Sequence, residues 1–191
     1  MINLSNDFDM KIVGENSLGQ SNKDETLYSD TTEYEKEKQN GNLKRADTLG
    51  KKLAEDFIFN INSDSLMMSE EESEQLNLQK ILLLSFTVMA GLEQFCPNIT
   101  LANAARSKFF DELLRLDEKL AAKSSDTGAF SFYYLSFRRG NDIERRIGQT
   151  FAMLCLHDGD PIYQELGEAI YCWFFSNVEK QVQNVGFVEG R

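Results

Sequence analysis

Four of the eight arginines, Arg138, Arg139, Arg145 and Arg146, fall within nine positions of a chain whose formal net charge is -11. Guanidinium groups spaced this closely, with Asn141 between the two pairs, can hold an anion, because each presents a fork of N–H donors that fits a carboxylate or a phosphate. The same residues also spell a helix end followed directly by a helix start. Arg138 and Arg139 follow the aromatic run SFYYLSF, in a last turn where cations complement the helix dipole, and Gly140 stands where a chain leaves a helix. Asn141 reads as the N-cap of the next helix, with Asp142 in its first turn and Glu144 completing a capping-box pair. Arg145 and Arg146 then lie on a solvent-facing flank near Asp142 and Glu144. Helix termini account for most of the cluster. An anion site at Arg138, Arg139, Asn141, Arg145 and Arg146 is the functional alternative, and an acidic partner, the chain's own N-terminal segment included, is a third.

Other chemistry is bounded by counts. His157 is the only histidine, and Cys155, two residues away on one helix, points in a different direction. The three cysteines, Cys96, Cys155 and Cys172, show no paired spacing, so free thiols in a reducing cytoplasm are expected. Zinc sites built on Cys-x-x-Cys and di-metal sites built on Glu-x-x-His lack their motifs here. Asn60, Asn62, Asp64 and Glu71 match positions of a calcium loop, but the first position is not Asp and Ser65 replaces the needed glycine. Neither glycine-rich phosphate-loop pattern occurs. No metal and no cofactor is expected, and without an acid/base constellation an enzyme is the third-ranked reading.

The elements that must position these residues are helical. Of 191 residues, 41% are hydrophobic and 27% charged, and only two are proline, which suits one all-α domain. Residues 1–44 carry scattered apolar positions without period and are expected to form a flexible acidic tail, with room for a short helix through Glu33 to Gln39. From residue 45 to 191 the period is helical, giving a compact bundle of five to six helices. Leu49, Leu53, Phe57 and Ile61 mark the first. Ser69 with Glu72 forms a capping box for the second, and Thr100 is expected to cap the third, which runs to about Lys123. SFYYLSF forms a short helix with an aromatic face, Ile143, Ile147, Phe151 and Leu154 mark the next, and Asp160-Pro161 opens the last.

Two features bear on function. Gly91, Gly148 and Gly167 each fall inside a helix, where glycine costs about 1 kcal/mol relative to alanine. They mark either close helix packing or a pocket lined by Phe86, Met89, Phe151, Tyr171 and Trp173. Tyr171, Trp173, Phe174 and Phe175 surround the last helix, which a domain of this size rarely encloses completely. One side is therefore expected to meet a protein partner or a second copy of the chain, as a homodimer.

The acidic balance disfavours nucleic acid and anionic lipid as partners. MINLSNDFDMKIVG does not read as an export signal, and the apolar run Ile81–Leu92 is shorter than the ~20 residues of a membrane span. The expectation is a cytoplasmic, non-catalytic interaction module that self-associates through its last helix. A sensor domain, with an apolar pocket or an anion site, is the alternative.

Overall fold

The computed structural model describes residues 32–62, 70–124 and 127–188. Among the described residues the chain is all-α, with eight helices and no strand. They are α1 (residues 32–39), α2 (Asn42–Asn62), α3 (Glu70–Phe95), α4 (Ile99–Leu116), α5 (Glu118–Lys123), α6 (Thr127–Arg138), α7 (Ile143–Leu154) and α8 (Pro161–Val185).

The organiser is α3, which touches α2 and each of α4 to α8. Its sequence is apolar all round because it is surrounded: every residue from Ile81 to Val88 is buried. By length and composition Glu74–Phe95 would also pass for a membrane span, with a mean hydropathy of 1.2, but 78% of that apolar window is buried inside the bundle.

Two faces of α3 serve two cores. Ile81, Leu84, Val88 and Leu92 join Leu49, Leu53 and Phe57 of α2, Leu101, Phe109 and Leu113 of α4, and Phe174 and Val178 of α8. Leu82, Leu83, Phe86 and Ala90 join Tyr133 of α6, Ile147 and Phe151 of α7, and Tyr171 of α8. Each fully buried Leu or Phe contributes about 1.5–3 kcal/mol from leaving water. The aromatic face of α6 closes on Phe86, which stacks with Tyr133 at 5.3 Å and meets Tyr134 and Phe137 edge-on at 5.4 and 6.1 Å.

The glycines sit where helices touch. A Cβ on Gly91 would stand 2.7 Å from Val178 Cγ1, and one on Gly167 2.5 Å from Phe151 Cβ. A Cβ on Gly148 would run into the carbonyl oxygen of Gln164, and one on Gly50, which the pattern did not single out, into that of Ala105. Phe86 and Phe151, which would line a pocket in the alternative reading of these glycines, are fully buried in packed core.

Several boundaries differ from expectation. The third helix divides at Asp117, whose extended backbone (φ -153°, ψ 95°) ends α4 while its carboxylate accepts from Leu120 N to open α5. That split and α1 raise the count to eight. The N-cap of α4 is Asn98, whose side chain accepts from Leu101 N. Thr100, expected there, donates instead to Glu33 at 3.2 Å. Ser69 of the expected capping box, Asp64 of the calcium-like loop and residues 1–31 lie outside the described residues.

Among the described residues, helix is present from residue 32, so the short helix allowed for over Glu33 to Gln39 forms and docks ahead of the expected domain boundary at 45. The reason is polar rather than apolar. Glu37 is buried and accepts from Asn98 Nδ2 at 2.8 Å and from Asn42 Nδ2. Asn42 in turn exchanges two 2.9 Å hydrogen bonds with the backbone of Val188. Such contacts leave no hydrophobic period to read.

Candidate functional site

The arginine cluster is shaped by the turn from α6 to α7. Gly140 (φ 74°) and Asp142 (φ 50°) both take the left-handed conformation, and Asn141 N bonds back to Arg139 O at 3.0 Å. Asp142, not Asn141, precedes the first residue of α7, and its side chain makes no capping bond. The chain turns within these few residues so that the end of α6 and the first turns of α7 flank one groove of about 490 Å³.

Arg139, Arg145 and Arg146 line this groove, together with Asp142 and with Asp158 from the α7–α8 turn. Arg138 and Asn141 do not line it, and Arg138 lies 6.0 Å from the centre of the Tyr134 ring. Sequence reasoning did not single out Ser136 and Thr150, whose hydroxyls meet at 2.8 Å on the groove wall. Their spacing of 14 residues on two helices carries no local signal. Among the described residues, none of the four arginines forms an ion pair, including with the Asp142 and Glu144 expected beside them.

The face of α8 divides its aromatic residues sharply. Tyr171 is 3% exposed and Phe174 fully buried, so these two expected interface residues belong to the cores, whereas Trp173 is 53% exposed. Phe175 is partly buried against Phe95, with ring centres 4.9 Å apart. Trp173 lines a second groove of about 630 Å³, between α2 and α8, with Phe59, Cys172, Asp56 and Lys180. Asp56 ties its two walls together: it pairs with Lys52 at 2.8 Å and accepts from Gln181 at 2.9 Å and Asn177 at 3.4 Å.

The other candidate chemistry is dispersed. Burial pushes the thiols of Cys96 and Cys155 up to about 12 and raises that of Cys172 as well, which keeps all three protonated at neutral pH. His157 lies flat on Tyr163, ring centres 3.8 Å apart. Asn60 donates to Asp56 O, and its own carbonyl accepts from the Lys80 ammonium at 3.1 Å; a cation already occupies that end of the calcium-like loop. Among the described residues, no three His, Cys, Asp or Glu side chains are grouped to hold a metal. The buried carboxylate of Glu112 is taken by Arg115, which donates from Nε at 3.1 Å and from Nη2 and holds that carboxyl below its usual range.

Comparison of the chain with protein-family models, with curated proteins and with solved structures finds no match.

Proposed function

We propose that this chain is a non-catalytic helical interaction module that self-associates through the groove between α2 and α8. The observation that carries the reading is Trp173, held 53% exposed on a helix whose neighbouring aromatic residues are covered. Tryptophan is a frequent anchor at protein interfaces because one side chain covers a large area with little rotamer freedom to lose. A two-fold contact needs a patch that is complementary to itself. The groove meets that condition in outline: it offers apolar surface from Trp173 and Phe59, and charges of both signs from Asp56 and Lys180. The Lys180 of one copy facing the Asp56 of the other would fix register. Three free cysteines suit a reducing compartment such as the cytoplasm.

Because Trp173 is the only tryptophan, its fluorescence reports this surface alone. Association buries the indole, so emission shifts to the blue as concentration rises through the micromolar range, in step with a monomer–dimer equilibrium in sedimentation. Trp173→Glu is expected to leave the protein monomeric and its melting temperature nearly unchanged. A chain that stays monomeric at every concentration, or a dimer indifferent to this substitution, refutes the reading.

A further inference from the structure

We propose that the groove framed by Arg139, Arg145 and Arg146 binds the phosphate of a compact phosphate ester that also carries hydroxyl groups. Three arginines line one concavity without an ion pair among the described residues, in a chain of net charge -11 that has carboxylates in excess. Among the described residues their donor capacity is not taken up by a carboxylate. Three forks exceed what one carboxylate with two oxygens can take up, but they match a phosphate, whose terminal oxygens each accept more than one bond.

The rest of the lining narrows the class. Ser136 and Thr150 share one hydrogen bond; since one hydroxyl donates to the other, the acceptor's own proton stays available to a ligand oxygen. Asp142 and Asp158 add two carboxylates to the three guanidiniums. An extended polyanion would meet those carboxylates in a chain of net charge -11. A small ligand concentrates its charge at the arginines, and its hydroxyls can donate to the aspartates. Arg138, outside the groove, takes no part. The site shares no residue with the Trp173 groove, so it stands or falls separately from self-association.

The test is calorimetric titration of the full chain with glycerol phosphate, with sodium sulfate at matched ionic strength as the control. In parallel, the chain is co-sedimented with phosphatidylcholine vesicles with and without phosphatidic acid. Arg139 and Arg145 are exposed, so Arg139→Gln/Arg145→Gln is expected to fold normally, as a thermal melt will check. Saturable binding of glycerol phosphate that is at least about tenfold weaker in this variant and unchanged in Arg138→Gln supports a soluble ester. Binding only to phosphatidic acid vesicles overturns the proposal, because that headgroup has no free hydroxyl and lies in an extended anionic surface. Binding of neither probe, binding no tighter than sulfate, or equal binding by the double variant overturns the proposal.

Discussion

Replacing Gly167 by alanine should destabilise this protein, although the same change in most helices does the reverse. In an open helix, alanine is favoured over glycine by about 1 kcal/mol. Here the new methyl carbon would stand 2.5 Å from Phe151 Cβ, 2.7 Å from its Cγ and 2.8 Å from its Cδ1. Carbon atoms in good contact sit at about 3.5–4.0 Å, so the overlap is on the order of 1 Å. Phe151 is fully buried, and its Cβ moves only with the backbone of α7, so no rotamer change relieves the clash. Overpacking of this kind costs about 1–3 kcal/mol. With the clash at the upper end and the propensity gain subtracted, the net loss is about 2 kcal/mol. For a chain of this size that lowers the melting temperature by roughly 4–8 °C. Thermal unfolding followed by circular dichroism reads the effect. The control is Ala169→Gly on the exposed side of α8, which should lose only the propensity difference of about 1 kcal/mol. If the glycine opened a pocket, Gly167→Ala would instead hold or raise the melting temperature. That result would falsify the close-packing argument.

Two further outcomes follow from buried polar groups. The Tyr133 hydroxyl is buried and has no hydrogen-bond partner among the described residues, and burial raises its pKa well above the ordinary value. Tyr133→Phe keeps the ring against Phe86 and removes an unsatisfied group, so stability in denaturant should hold or rise by up to about 1 kcal/mol; a loss larger than that would mean the hydroxyl is bonded. The second outcome concerns alkaline pH. Burial raises Cys96 and Cys155 to about 12 and also raises Tyr133 and Tyr171. In the unfolded chain these groups lose protons from about pH 8.5 for thiols and pH 10 for phenols. The native state therefore binds more protons in this range, and stability must fall as pH rises. Melting temperature should be level near pH 7 to 8 and decline towards pH 11, with native thiols alkylating slowly at pH 8; a flat profile to pH 11 would contradict the burial of these groups.

Much of the local structure is legible from residue order because helix ends are decided by neighbours a few positions apart. Asp160 accepts from Ile162 N ahead of Pro161, Gly140 turns left-handed after α6, and the apolar period of α2 becomes its buried face. Signals fail where the deciding partner is remote. The break at Asp117 carries no proline or glycine. For α1, a short helix at Glu33 to Gln39 could be read but its docking could not: the anchors of Glu37 are Asn98, 61 residues away, and the adjoining Asn42, itself bound to Val188 across 146 residues.

The candidate sites show the same division. The density of arginines is visible in the sequence, but which of them share a groove depends on how the left-handed Gly140 and Asp142 swing α7 against α6. The aromatic residues of the last helix are visible too, yet their order along the chain does not say that Tyr171 and Phe174 are covered while Trp173 is not. Sequence alone determined that the described chain would be helical, since helix hydrogen bonds close within four residues and the hydrophobic period reads directly. Tertiary structure decided which groups remain exposed and which share a groove, because burial and convergence depend on helices brought together from distant parts of the chain.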